Sequence, residues 1–347
     1  MKEVMAHHKG SLYFTIVTMI LGFGYGMYLF GNISQALGIV FIMGVLGVLE
    51  ISLSFDNAVV NAKTLEKMTP EWQHRFITWG MLIAVFGMRI VFPVLIVAVV
   101  SGLSMVDATL LAVNDHTKYS EILQSSHSLI AGFGGAFLFL VAFEFFFDAE
   151  KDVHWIHSIE TKLVKLGARQ SVGIVLTVGL LYTFYTYLPE GEALKFFMAG
   201  IAGIVTHEIV KLIGDLMNSE DETENNATVV VAKNGLASFL YLEVLDASFS
   251  FDGVLGALVI STDIFIIAGG LAIGAMFVRS MTIQLVKSGT LSEYKYLEHG
   301  AFWAILTLAS IMFASTMVHI PEVITGALSI AFIGFAFWSS LKVKDSE

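Results

Sequence analysis

Long hydrophobic blocks separated by short polar stretches dominate the pattern of this chain. Crossing a bilayer core as a helix takes roughly 20 predominantly apolar residues. Ten blocks approach that length: about 12–30, 37–61, 77–101, 128–148, 171–188, 196–215, 234–260, 263–283, 300–317 and 322–341. The seventh and eighth are divided only by the short polar turn Ser261-Thr262-Asp263. The pattern predicts an all-α membrane protein with nine to ten transmembrane helices, counted from these blocks. The first block is not followed by a small-residue cleavage site, so it reads as a retained span rather than a signal peptide.

Charge placement supports the even count. With ten spans and a cytoplasmic N-terminus, sixteen of the nineteen Lys and Arg residues fall on the cytoplasmic side, all but Lys118, Lys195 and Arg89. Lys118 and Lys195 fall outside, and Arg89 lies within the third span. Removing one span inverts every later loop and destroys this bias. The expected location is therefore the cell's inner (plasma) membrane, with both termini cytoplasmic. Residues 102–127 and 149–170 form longer connections that suit interfacial helices. The stretch 216–232, with Glu220, Asp221, Glu222 and Glu224, reads as a polar acidic linker between two halves. The expected organisation is an N-terminal span and leader (1–35), a first half (36–170), connecting spans with the linker (171–232) and a second half (233–347).

Composition narrows the chemistry. Of the 347 residues, 56% are hydrophobic and 14% charged, where an ordinary soluble domain carries about a quarter charged residues. There is no cysteine, which removes disulfides, thiolate zinc sites and redox dithiols. The net charge of −11 lies mainly in loops and membrane-depth acids and gives no sign of nucleic-acid binding.

One polar pattern occurs twice inside apolar blocks. Glu50-Ile-Ser52-Leu-Ser54-Phe-Asp56-Asn57 lies on the second span, and Asp246-Ala-Ser248-Phe-Ser250-Phe-Asp252-Gly253 on the seventh. Each residue of the second copy stands 196 positions after its counterpart, Glu50 to Asp246 and Asp56 to Asp252. Membrane-depth carboxylates are expensive and are rarely kept without a partner or a function. The two spans cross in opposite directions. Arg89 on the third span has a counterpart in Arg279 on the eighth, and His127 and His299 open the fourth and ninth. The pattern predicts two inverted-topology repeats, a recurrent design of secondary transporters with a midplane site.

The motif offers only oxygen atoms: carboxylates, hydroxyls and the Asn57 amide. Such donors suit manganese, magnesium or calcium rather than copper or zinc. On an ideal helix Glu50, Ser54 and Asn57 share one stripe, as do Glu243, Asp246 and Ser250. In an unwound segment Glu50, Ser52, Ser54 and Asp56 face one way. The alternation of polar and apolar residues, with glycines nearby, favours some unwinding of both copies. Hydrogen-bonded polar residues between helices are the plainer alternative; they account for the serines but not for the acids. Arg89 is expected to be a structural or gating counter-ion to a buried acid, and Arg279 either a second one or an interface marker. Glu144, on the aromatic fourth span, is a candidate extension of the ion path. The pair His207-Glu208 lacks the second His of a metal motif and fits a packing hydrogen bond equally well.

Glu50-x-x-x-Ser54-x-Asp56-Asn57-Ala58, echoed by Asp246-x-Ser-x-Ser250-x-Asp252-Gly253, resembles the signature of the TerC family of integral membrane proteins. The run Phe145-Phe146-Phe147-Asp148, followed by Lys151 and Trp155, resembles its DUF475 branch. The similarity covers about residues 35–340 and extends to a wider group of inverted-repeat exporters like the LysE type. It implies export of Mn²⁺ from the cytoplasm, with Asp56 and Asp252 as metal-binding acids supported by Glu50, Asn57, Glu243 and Asp246. The second copy departs from the first where Gly253 replaces the asparagine, so the two copies are expected to bind metal unequally. The leading expectation is a divalent-cation transporter, not an enzyme, that needs no bound cofactor and couples efflux to protons through its buried acids. There is no Gly-x₄-Gly-Lys-Ser/Thr motif for ATP. A membrane scaffold for metal delivery, a tellurium-resistance protein and an intramembrane aspartyl protease built on Asp56 and Asp252 are the alternatives. The protease's Gly-x-Gly-Asp context is absent. The partners expected are the metal ion as substrate and the lipid bilayer; ion identity and oligomeric state stay open.

Overall fold

The computed structural model describes residues 2–80, 82–167, 171–219 and 227–344; at 2–7, 214–215, 217–219, 227–234, 251–252, 292 and 344 it describes the backbone alone. The acidic linker residues 220–226 lie outside the described residues. Among those described, the regular structure is helical, without strands.

The chain runs through α1 (Lys2–Phe30), α2 (Ile33–Leu53) and α3 (Phe55–Glu66), then α4 (Pro70–Arg75), two π-helical stretches at Phe76–Gly80 and Ile83–Val91, and α5 (Phe92–Ser101). Two short helices follow, α6 (Met105–Asn114) and α7 (His116–Ser125), and then α8 (His127–Phe147), α9 (His157–Leu166), α10 (Val172–Tyr187) and α11 (Glu190–Ser219). The second half is α12 (Ala227–Ile260), α13 (Ile264–Lys287), the single turn α14 (Thr290–Glu293), α15 (Leu297–Ser315) and α16 (Glu322–Lys344). Eight of the described helical segments are long and apolar enough to cross a membrane. The other two expected spans correspond to α10, which has 16 residues, and to α12, which has 34 residues and holds Glu243, Asp246 and Asp252 within it. At 1.5 Å per residue α12 is about 51 Å long, well over the roughly 30 Å of a bilayer core.

The connections are closed by the residues expected to close them. Asn32, Ser104, Asp115 and Asp263 cap α2, α6, α7 and α13 through side-chain oxygens that accept from backbone N–H groups. These bonds satisfy amides that have no intrahelical partner. Gly102 ends α5 at φ 63°, the left-handed conformation that glycine adopts without strain.

The aromatic helix α8 lies at the centre of the bundle and packs along α11 and α15. Phe137 and Phe146 are completely buried and Phe145 nearly so. The Phe145–Phe147 run is therefore packing surface at the first two positions. Close approach of α8 and α11 depends on small residues, because Gly132 faces the Phe196 backbone and Gly203 faces the Phe133 backbone. Small residues at such crossings are typical of helices that associate in lipid. The outer surface is apolar: Phe41, Val48, Val99, Val175 and Val259 are all exposed. Only an apolar solvent would make that surface favourable, so the fold is that of a multi-pass membrane protein.

Two irregularities shape the interior. The second span breaks at Ser54 (φ −110°, ψ 17°), between α2 and α3. The third is π-helical over Ile83–Val91, where a wider turn carries Arg89 inward; such turns are frequent at functional sites. By contrast, α12 continues unbroken through the second motif. The unwinding expected of both copies is absent from the second and is reduced in the first to the single residue Ser54, whose N–H still donates to the Glu50 carbonyl (3.0 Å) and whose carbonyl still accepts from Ala58 (3.2 Å). Ser54 donates to the Glu50 carboxylate at 3.1 Å, and Asp56 in the first turn of α3 accepts from the Asn57 amide N–H at 3.0 Å. These local bonds compete with the helical ladder. Ser248 in the second copy bonds back to the Val244 carbonyl at 3.0 Å, as its counterpart Ser52 does to the Val48 carbonyl at 2.8 Å, and both leave the helix intact.

Candidate functional site

The two motifs meet. Asp246 on α12 accepts from the side-chain amides of Asn57 (2.5 Å) and Asn61 (3.2 Å), both on α3. Glu50, at the end of α2, is 1% exposed and is bonded by Arg89 from the π-helical stretch and by Ser54. Helix α13 covers this region, packing along α2 and α3. A small cavity of about 20 Å³ lies among these groups. Its polar lining is Glu50, Ser54, Asn57, Asn61, Asp246 and Thr282, with the guanidinium groups of Arg89 and Arg279. The volume is enough for one water-sized particle.

Glycines allow this approach. A Cβ on Gly253 would stand 2.8 Å from Glu50 Oε2, and one on Gly274 would stand 2.6 Å from Glu50 Cγ. The motif's one asymmetry now has a physical cause: where the first copy has Asn57, the second needs glycine because the Glu50 carboxylate fills that space. A Cβ on Gly80 would meet Glu243 Oε1 at 2.6 Å.

The polar accounting is incomplete in one direction. Asp56 Oδ2, Asn57 Oδ1, Asn61 Oδ1 and both oxygens of Glu243 are buried without a hydrogen-bond partner. Nearly all buried polar atoms in folded proteins are paired. A group of unpaired acceptor oxygens at membrane depth calls for a cation, a proton or water. Each carboxylate of the lining is accompanied by a guanidinium. Arg89 bonds Glu50 and also the Ala84 carbonyl. Arg279 stacks over the Phe76 ring at 4.7 Å and lines the cavity with Asp246.

The remaining candidates divide. Ser250 is buried but is not among the lining residues. Asp252 lies on α12, and its side chain is outside the described residues. Glu144 is separate from the cavity; it pairs with Lys211 at 2.9 Å and with His207 at 3.5 Å, both on α11. The described residues contain no cluster of three or more acidic or histidine side chains poised to hold a metal together. Asn61 is a lining residue that the motif reading overlooked, although it continues the stripe of Glu50, Ser54 and Asn57 by one helical turn.

A second polar cluster was also overlooked. Glu160 on α9 is completely buried. It accepts from the Trp303 indole (3.1 Å), the Trp155 and Ile156 amides (3.2 and 3.3 Å) and Lys151 (3.4 Å). His299 Nδ1 lies 2.8 Å away and, against an ionised carboxylate, must carry its proton on that nitrogen. Burial pushes the Glu160 carboxyl up, but the bond and charge of His299, the Trp303 indole and Lys151 outweigh it and bring the group down to about 2. No sequence signal marks this residue, because an acid in a polar connection looks solvated.

A helical multi-pass bundle with paired carboxylates and guanidinia around a small interior cavity defines the class of membrane protein. Residues 55–347 match the family described as "Protein of unknown function (DUF475)", and the chain belongs to that family. Neither the curated proteins nor the solved structures hold a match to it.

Proposed function

We propose that this protein exports a divalent metal cation from the cytoplasm, with Mn²⁺ the best fit, through the cavity between Glu50 and Asp246. One observation carries the reading: two membrane-depth acids from the two motifs line a single cavity, beside the Asn57 and Asn61 amide oxygens, which have no partner. The donor set of Glu50, Ser54, Asn57, Asn61 and Asp246 is all oxygen, which suits a hard cation. The resemblance to TerC proteins favours manganese over magnesium and calcium. Asp56, Glu243 and, on that resemblance, Asp252 are the further acids of the path, and protons exchanged at them would couple efflux to proton entry.

The packing supports the inverted repeat of LysE-type exporters. The helices α2 and α3 of the first motif pack on α13 and α15 of the second half, while α12 packs on the π-helical stretch and on α8 of the first. The excess of Lys and Arg in alternate connections supports cytoplasmic termini in the inner membrane. In this reading the protein is a transporter rather than an enzyme.

The test is flux in proteoliposomes. Wild-type protein is expected to move Mn²⁺, and Asp246→Asn or Glu50→Gln at equal abundance is expected to stop it. Undiminished flux in both variants, or no flux of Mn²⁺, Mg²⁺ or Ca²⁺ by the wild type, would overturn the proposal.

A further inference from the structure

The guanidinium groups belong in the same accounting as the acids. Arg89 and Arg279 are 4% and 8% exposed, and both line the cavity with Glu50 and Asp246. Two carboxylates and two guanidinia have a formal charge of zero. At membrane depth a carboxylate stripped of its counter-ion is strongly disfavoured. A cation can therefore take the place of these arginines but cannot be added on top of them without cost. One divalent ion carries the same charge as the pair.

Each guanidinium also has a neutral second partner. Arg89 reaches the Ala84 carbonyl, five residues back along its own π-helical turn, and Arg279 lies on the face of Phe76. A guanidinium that leaves its carboxylate is thus still held, by a carbonyl in one case and by a cation–π contact in the other. Arg89 Nε and Arg279 Nε and Nη2 have no hydrogen-bond partner, so neither side chain is fully committed to its present position.

We infer that Arg89 and Arg279 are tethered stand-ins for the transported ion: their guanidinium groups neutralise Glu50 and Asp246 in the ion-free protein, and the ion enters by displacing them. The inference rests on the transport reading above and adds a basis for selectivity. A monovalent ion supplies the charge of one guanidinium only, whereas one divalent ion supplies the charge of both. Release of the ion lets the arginines return, which resets the site. Because Arg89 is borne by Ile83–Val91, entry of the ion is felt first in that π-helical stretch.

The experiment uses the full chain in lipid nanodiscs, with Mn²⁺ alone as the probe and bound metal measured by equilibrium dialysis. Arg89→Gln removes the competing charge and is expected to bind Mn²⁺ about tenfold more tightly or better, about 1.4 kcal/mol per decade. Arg89→Lys keeps the charge and is expected to stay near the wild-type affinity. A merely structural arginine predicts equal or weaker binding in Arg89→Gln, and that result would overturn the inference while leaving the transport reading intact. A wild type that binds no divalent ion would overturn both. Hydrogen exchange on the unmodified protein covers the case in which Arg89→Gln does not fold. Saturating Mn²⁺ is expected to change exchange across residues 83–91 and Na⁺ is not; Mn²⁺ binding with unchanged exchange there refutes the displacement.

Discussion

Gly253→Ala places one methyl group where the two motifs touch. Its Cβ would stand 2.8 Å from Glu50 Oε2, while an unforced carbon–oxygen approach is roughly 3.3 Å. The carboxylate would have to recede by about 0.5 Å. Arg89 and Ser54 restrain it by holding its other oxygen, and Gly274 lies against its Cγ. Overpacking a well-filled interior costs about 1–3 kcal/mol, partly offset by up to about 1 kcal/mol from the better helix propensity of alanine. Gly334→Ala is the matched control, because Gly334 is helical and exposed with no atom near its would-be Cβ. Reversible unfolding of both variants by titrated detergent is expected to find Gly253→Ala less stable than the control by about 1–3 kcal/mol. Equal stability would show that Glu50 is not packed against Gly253, and the explanation of the motif's asymmetry would fail.

Other predictions concern the pairs around the cavity and the Glu160 cluster. Glu50→Gln alone or Arg89→Gln alone leaves a buried charge unpaired and is expected to cost about 3–5 kcal/mol, while the double variant recovers much of that loss; additive losses in the same unfolding assay would mean the pair is not coupled. Asn61→Ala removes one of the two amides that hold Asp246, and equilibrium dialysis is expected to find Mn²⁺ bound about tenfold more weakly, a loss of about 1.4 kcal/mol; unchanged affinity would remove Asn61 from the site. The Glu160 carboxyl is lowered from 4.5 to about 2, so its contribution is present above pH 4.5 and is lost as pH falls toward 2. That amounts to about 3 kcal/mol, and Glu160→Gln is expected to flatten the decline in stability over that interval, whereas an identical decline in the variant would exclude Glu160 as its source.

Much of this architecture could be read from the chain, and the exceptions have physical causes. Apolar block lengths locate the spans because a bilayer imposes one length on every crossing. The stripe Glu50, Ser54 and Asn57 was legible because helical periodicity places those residues on one face. The pairing of Asp246 with Asn57 and Asn61 was not, since it depends on how α12 crosses α3. Alternation of polar and apolar residues suggested a break in both motifs. It could not tell that only the first copy is irregular, at Ser54, where the serine bonds the Glu50 carboxylate. Gly253 read as a lost ligand, although its role is to make room for Glu50. Glu160 could not be found at all, because its burial comes from α15 folding over a connection that is polar in sequence.

Anomalous scattering at the manganese edge, from crystals of the wild-type protein grown with Mn²⁺, tests the central claim most directly. The account predicts one peak in the cavity bounded by Glu50, Asn57, Asn61 and Asp246, with the Arg89 guanidinium moved off Glu50. A peak confined to the protein surface, or no peak at a concentration that supports flux, would contradict it.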